Sequence, residues 1–360
     1  MILKSIHLQN FRNYRKQEFT FSANTTLIVG PNTAGKTNLI EAIFFLSTGK
    51  SFKGADRDVI SFGCDIARIR GNSLEIIFAW KEERFMKRYL VNGVAKQRVN
   101  FVGNLPAVLF APSDLELVTA SPGIRRNYLD FVLEQSSSNY RRALLLYEKG
   151  LRSRNKLLEN AKKLGRKIDA QFEYWDNTLI INGNTLTRTR EKFLEFVNES
   201  IKDIFDFKAV YEPSIISKER LLQYKDAELA SGVTLVGPHR DDFRIEMKEK
   251  KSYYDMKTFG SRGQQRLAIL QLKIIELSFL KEVLEETSLL LLDDILSELD
   301  EEHIDLVLEN TLLRPIRQAQ SYGGQRQTII TTTHREFIPK SQLKDMNVIE
   351  LPRTSNNGTI

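Results

Sequence analysis

Two hydrophobic periods alternate along this chain. Toward the N-terminus, apolar residues recur at every second position or in short runs. Phe19 and Phe21 alternate with polar neighbours, and Thr25–Val29 follows the turn-forming Ser22-Ala23-Asn24. Ile66 to Arg70, Leu74 to Trp80 and Arg88 to Val91 read as strands, and Asn92-Gly93 is a two-residue hairpin signal. Pro112 to Gly123 breaks the pattern. From Arg125 to Phe207 the period is helical: Leu144, Leu151 and Leu158 recur with Leu157 and Leu164 beside them, and Phe193, Phe196, Val197, Ile201, Ile204 and Phe205 follow at helical spacing. Strand character returns near 233, where Val233–Val236 and Phe243–Met247 flank a turn at Gly237-Pro238-His239-Arg240-Asp241-Asp242. A long helix is predicted from Gln264 to about Glu286, with Leu267, Leu270, Ile274, Leu277 and Leu284 on one face. Leu289–Leu292 and Gln327–Thr332 are continuous apolar or β-branched runs, as buried parallel strands require.

These switches divide the chain into 1–120, 121–232 and 233–360: an α/β fold in two pieces around a helical insertion. With 360 residues, 41% hydrophobic and 28% charged, the composition is that of a globular protein rather than a disordered one. The formal net charge of +7 favours polyanionic partners. Cys64 is the single cysteine, which excludes an internal disulfide and a cysteine zinc site and fits a reducing cytoplasm. The N-terminus, Met1 to Leu8, is interrupted by polar residues and is not expected to be a signal peptide. No apolar run approaches the length of a membrane span, so no membrane association is expected.

Gly30-Pro31-Asn32-Thr33-Ala34-Gly35-Lys36-Thr37 reads GxxxxGK[ST], between a strand candidate and a helix that opens at Asn38-Leu39-Ile40. Backbone N–H groups of such a loop wrap phosphates at a helix N-terminus, where unpaired donors and the dipole favour anions. Lys36 is expected to reach the β/γ-phosphates of ATP, and the Thr37 hydroxyl to ligate Mg²⁺. Thr33 stands where many such loops carry a third glycine, and a positive φ there would strain it.

Leu289–Leu292 ends in Asp293-Asp294, a buried strand delivering carboxylates beside the P-loop. Asp293 is the expected Mg²⁺ holder and Asp294 the group that orients and deprotonates the attacking water. Ser261-Arg262-Gly263-Gln264-Gln265-Arg266 opens a helix; Ser261, Gly263 and Gln264 can approach a phosphate there, or serve simply as an N-cap. His334, after Thr331-Thr332-Thr333, is a candidate γ-phosphate contact. His7, His239 and His303 show no metal-site spacing. The stretch 141–167 is strongly basic and is either a solvated helix face or a phosphate-backbone contact.

The order P-loop, SRGQQR, LLLLDD, Ser297-Glu298-Leu299-Asp300 and a late histidine resembles an ABC-type ATPase of the SMC branch. More narrowly it resembles the RecF family of bacterial recombination-repair ATPases. Leu8 to Tyr14, Gly30–Asn38, Gly49 to Lys53, Phe110 to Leu115, Gly123 to Asp130, Gly237 to Asp242, Ser261–Arg266 and Leu291–Asp300 carry the resemblance across nearly the whole chain. It implies an ABC/SMC-like P-loop ATPase head with a β-rich N-terminal lobe and an inserted helical lobe. It also implies an ATP-dependent protein that binds single-stranded and double-stranded DNA at gaps, with weak DNA-stimulated ATPase activity. Implied partners are a second copy of the chain in an ATP-dependent homodimer, RecO and RecR, with RecA loaded as the outcome. By the same resemblance Ser261 touches the partner's γ-phosphate, and Arg12, Asn13 and Asn38 lie near the nucleotide. Asp294 falls where most ABC proteins have Glu, which is consistent with slow hydrolysis. The glutamine of the usual ABC Q-loop has no clear match. The competing readings are another SMC-like DNA-binding ATPase, a transporter subunit, a phosphotransferase and a module that binds ATP without hydrolysing it.

Overall fold

The computed structural model describes residues 2–164, 170–249, 252–295, 326–338, 343–344 and 346–352. They form two compact units: Met1–Asp114 with Leu272–Ile360, and Leu115–Gln271. The sequence places the return to the first unit at 233, whereas residues 233–271 belong by packing to the second.

The first unit is built on two sheets. Strands β1 (Ser5–Phe11), β2 (Tyr14–Thr20), β4 (Ile66–Gly71), β5 (Leu74–Lys81), β6 (Arg84–Val91) and β7 (Val94–Lys96) form an antiparallel sheet in the order β2-β1-β4-β5-β6-β7. Its strands alternate buried and exposed positions, as in β4, so one face is packed and the other solvated. The Asn92-Gly93 turn joins β6 to β7 with φ of 51° and 75°, the left-handed pair that a type I′ hairpin demands. Strands β3 (Thr25–Val29), β8 (Ala107–Phe110), β12 (Leu289–Asp293), β13 (Thr328–Thr332) and β14 (Asn347–Glu350) form a parallel sheet in the order β14-β3-β13-β12-β8. Every residue of β8, β12 and β13 is buried, which explains their unbroken apolar or β-branched runs.

Helix Lys36–Thr48 is apolar on all sides and almost wholly buried. Phe45 meets Phe11 and Phe78 of the antiparallel sheet at ring separations of 6.2 and 5.1 Å. The C-terminal end of this helix is held by cations: Arg98 donates to Thr48 O through Nη2 at 2.6 Å, and Lys87 Nζ to Gly49 O at 3.0 Å.

The second unit contains helices Pro122–Ser136, Ser138–Leu164 and Ala170–Glu199, and a sheet of β9 (Phe207–Glu212), β10 (Asp242–Glu249) and β11 (Ser252–Asp255) in the order β11-β10-β9. At its core the buried Arg190 bridges Asp130 at 2.8 Å and Asp241 at 2.9 Å. Two expectations fail here. Val233–Val236 is not a strand: Thr234 N donates to Asn155 Oδ1 and Leu235 N to Glu228 Oε1, both at 2.8 Å, so side chains take the donors a ladder would use. The helical pattern through Phe205 ends at Glu199; Ile204 N instead donates to Gln271 Oε1 at 2.8 Å, and Phe207 begins a strand.

Several of the basic residues in helix Ser138–Leu164 are engaged within the unit. Arg154 is buried between Asp176 (2.6 Å) and Glu228 (2.7 Å), Lys163 pairs with Glu159 (2.6 Å), Lys162 donates to Ser231 O (3.4 Å), and Arg141 donates to Glu134 O. Arg166 and Lys167 lie outside the described residues.

Candidate nucleotide site

The loop Gly30–Thr37 leaves the carboxyl end of β3 and enters helix Lys36–Thr48, the strand–loop–helix context its motif requires. Gly35 is the helix N-cap at φ 101°, and a Cβ there would lie 2.6 Å from Asn13 Nδ2 and 2.7 Å from Tyr14 Oη. Only glycine fits. Thr33 does adopt φ 74°, so a β-branched residue occupies the left-handed region. Pro31, Asn32 and Ala34 complete the loop, with Ala34 N donating to Pro31 O at 3.2 Å.

Lys36 is 6% exposed and folds onto its own loop, donating to Gly30 O at 2.7 Å and Pro31 O at 3.0 Å. Burial pushes its ammonium below the ordinary range, while Asp294 and Asp293 pull it back up. Gly30 N donates to Thr332 O at 3.4 Å, tying the loop to the end of β13.

Strand β12 lies one strand away from β3, with β13 between them. Its last residue, Asp293, accepts from Thr37 Oγ1 at 3.1 Å and from Thr331 Oγ1 at 2.8 Å through the same oxygen. Burial raises the Asp293 carboxyl above its usual range, against these two hydrogen bonds and the charge of Lys53. Asp294 turns out of the strand at φ 52°, its N–H donating to Thr331 Oγ1 at 3.0 Å. The two residues expected to hold a metal are thus in direct contact, with the expected catalytic acid next in sequence. Ser297-Glu298-Leu299-Asp300 lies outside the described residues.

Arg12 and Asn13 form the turn between β1 and β2, Arg12 at φ 53°. Arg12 grips Glu41 of the P-loop helix through Nε at 2.9 Å and Nη2 at 2.7 Å, and donates to Asp58 O at 2.8 Å. Asn13 Oδ1 accepts from Asn38 Nδ2 at 2.9 Å, and Asn38 Oδ1 accepts from Lys53 Nζ at 2.9 Å. Tyr14 Oη donates to Gly35 O at 3.0 Å. Tyr14 and Lys53 enter the sequence analysis only as parts of segments that carry the resemblance, with no role given to either, and Glu41 does not enter it. The signal for Glu41 was an acid set among apolar helix positions, Ile40-Glu41-Ala42, which only a paired cation makes tolerable.

His334 is exposed two residues past the end of β13, its N–H donating to Thr332 Oγ1 at 3.2 Å. Ser261, Gly263 and Gln264 belong to the second unit. Ser261 Oγ accepts from Gln264 N at 3.3 Å and Gln264 Oε1 accepts from Ser261 N at 2.8 Å, a reciprocal capping box on helix Arg262–Leu284. A Cβ on Gly263 would meet little beyond Ser261 Oγ at 4.0 Å, so the helix start is open.

Residues 2–351 match the family model RecF/RecN/SMC N terminal domain. The protein DNA replication and repair protein RecF of Bacillus cereus (strain AH820) is 33% identical over 391 aligned positions, which cover 100% of this chain and 98% of that one. The protein of the same name from Bacillus thuringiensis (strain Al Hakam) matches at the same identity and coverage. Among solved structures, that of the recombination mediator protein RecF-ATP in the RecFOR pathway superposes with a TM-score of 0.80 at 31% identity, covering 94% of this chain and 93% of that one. The RecF-ATPrS structure gives 0.79 at the same identity. Similarity of this depth over whole chains, in sequence and in fold alike, makes this protein a member of the RecF family of DNA replication and repair proteins.

Proposed function

We propose that this chain is a DNA-binding ATPase switch of recombinational repair. It binds Mg-ATP at Gly30–Thr37, hydrolyses it slowly, dimerises in the ATP state, and acts at gapped DNA with RecO and RecR to load RecA. The observation that carries the nucleotide reading is the 3.1 Å contact between Thr37 Oγ1 and Asp293 Oδ1, beside a lysine folded onto its own P-loop. One hydroxyl and one carboxylate are hard oxygen donors that suit Mg²⁺, which keeps waters and phosphate oxygens for its other positions. When bound, the ion neutralises charge on the β- and γ-phosphates. Lys36 exchanges two carbonyl acceptors for phosphate oxygens. Asp294 takes the proton of the attacking water, and its short side chain supports a low rate. His334 is assigned to the γ-phosphate from its place after β13.

The chain has one P-loop and one Ser261–Arg266 segment. Two copies related by a two-fold axis would offer two identical composite sites, each γ-phosphate held by Lys36 of one copy and Ser261 of the other. The test is titration with labelled ATP, then turnover with and without DNA. Lys36→Met should abolish binding, and Asp294→Asn should keep binding and slow turnover. Light scattering of Asp294→Asn should show a dimer with ATP and a monomer with ADP, because a ligand shifts an equilibrium only by its differential affinity. Unchanged ATP affinity in Lys36→Met would overturn the nucleotide reading; equal dimer with ADP would overturn the composite site.

A further inference from the structure

The packed face of the six-stranded sheet holds the P-loop helix; its other face is open. Strand register fixes what that open face carries. Lys16 pairs with Gln9, Gln9 with Arg68, Arg68 with Ile77, and Ile77 with Arg88, so these residues form one cross-strand row. Neighbouring strands are about 4.8 Å apart, so Lys16, Arg68 and Arg88 stand at intervals of about 10 Å along a line of about 20 Å. Arg70 lies in the next row, and Lys81 faces Arg84 at the end of the β5–β6 hairpin. All six cations are exposed. Only Arg68 has an ion-pair partner among the described residues, Glu75 at 3.7 Å. Glu18 and Glu75 are the carboxylates of these rows, and Glu82 and Glu83 are exposed in the turn beside Lys81 and Arg84; six cations against four carboxylates leave an excess of positive charge.

We propose that this face binds the sugar–phosphate backbone of nucleic acid. The proposal rests on the DNA-binding reading above and says where that contact is made. An antiparallel face whose exposed cations stand at regular spacing around an open, shallow depression lined by Gln9, Lys16, Glu18, Arg68, Arg70 and Glu75 suits a charged rod read by its phosphates. Duplex DNA presents a charge every ~1.7 Å along its axis, so each cation in the row has phosphates within its reach. The basic helix Ser138–Leu164 is the weaker candidate. Arg141, Arg154 and Lys162 already bond to other parts of the second unit, and Lys163 and Arg152 face Glu159 and Glu148 of their own helix at 2.6 and 3.8 Å.

The experiment measures binding of the full chain, with ATP, to a labelled gapped duplex across a salt series. In a variant carrying Lys16→Gln, Arg68→Gln, Arg70→Gln and Arg88→Gln, affinity should fall at least about tenfold at low salt. Its log–log salt slope should be shallower by about 3–4, since each lost phosphate contact removes about 0.9. Labelled-ATP affinity and thermal melting of this variant should match wild type, as none of these side chains enters the nucleotide site or the core. Glu75→Gln, a single exposed-face change, should act in the opposite direction and tighten DNA. Lys149→Gln with Lys156→Gln on the helix should leave the slope unchanged. If wild type binds and the fourfold variant binds equally with the same slope, the sheet assignment is overturned while the DNA reading stands. If wild type itself shows no salt-sensitive binding, the DNA reading falls and this inference with it.

Discussion

Removing the Arg12 side chain should unfold the first unit at markedly lower denaturant. Glu41 is fully buried on the P-loop helix, and Arg12 supplies both of its charged donors at 2.7 and 2.9 Å. What remains after Arg12→Ala is the Ser51 hydroxyl, at 2.5 Å, and the more distant charge of Lys53. Breaking a buried pair by deleting one partner costs about 3–5 kcal/mol, because the other charge stays desolvated. With a urea m-value of about 3 kcal/mol/M, the midpoint should fall by ~1–1.7 M. The chain has two tryptophans, Trp80 in the first unit and Trp175 in the second. In a Trp175→Phe background, Trp80 fluorescence therefore follows the first unit alone. Glu41→Gln should cost less than Arg12→Ala, since the partly exposed guanidinium can turn to water. The double variant should cost far less than the two singles added, the mark of a direct pair. A midpoint shift under about 0.3 M for Arg12→Ala, or additive costs in the cycle, would refute this account of Glu41.

Thr33→Gly removes a left-handed β-branched residue that costs about 1–2 kcal/mol, offset by about 0.5–1 kcal/mol of extra freedom in the unfolded chain, so the same Trp80 assay should show a small gain; a clear loss would mean the Thr33 side chain holds the loop. Gly35→Ala should lose most ATP affinity in a labelled-nucleotide titration, since the new methyl meets Asn13 and Tyr14 at under 3 Å and φ stays positive; retained affinity would show that the loop relaxes freely. Burial lowers the His239 imidazole to about 4, so as pH falls from 6.5 toward 4 the unfolded chain takes up a proton that the folded chain refuses. Stability of the second unit, read by Trp175 in a Trp80→Phe background, should therefore drop across that window, and His239→Gln should flatten the drop. Ser261→Ala removes one arm of the capping box and should cost about 1 kcal/mol in that assay, while leaving ATP binding by the monomer intact.

The parts of this molecule legible in its sequence are those where one local rule decides. β8, β12 and β13 read as buried strands because a parallel sheet covers both faces. The P-loop reads because glycine and lysine at fixed spacing have few other uses. Thr33 was readable as a strained position because the loop's geometry is the same whatever residue fills it. The rest needed partners far along the chain. Arg12 reads as a residue near the nucleotide, yet its guanidinium is committed to Glu41 and Asp58. Val233–Val236 has strand composition, but Asn155 and Glu228 capture its donors from other helices. The basic run at 141–167 looks like a free surface until Asp176 and Glu228 are seen to claim Arg154. Conversely, Lys16, Arg68 and Arg88 are scattered in sequence and become a row only through strand register.

One end of that row, Lys16 on β2, lies close along the chain to the nucleotide loop, which gives DNA a short route to it. The β1–β2 hairpin carries both ends of the route. Its turn places Arg12 on Glu41 and Asn13 on Asn38, and the next residue, Tyr14, donates to Gly35 O at the N-cap of the P-loop helix. Two positions further on, Lys16 stands on the proposed DNA face. A tilt of β2 under a phosphate contact is therefore felt at Gly35, a glycine with no room for even a methyl group. Coupling of this kind is reciprocal: if DNA tightens ATP by some factor, ATP tightens DNA by the same factor. Tyr14→Phe removes the hydroxyl that joins the two ends while leaving the ring packed on Phe19 at 5.5 Å. It should leave each ligand's affinity measured alone nearly unchanged and bring the coupling factor toward one. A coupling factor equal to wild type in Tyr14→Phe would show that DNA reaches the nucleotide by another path.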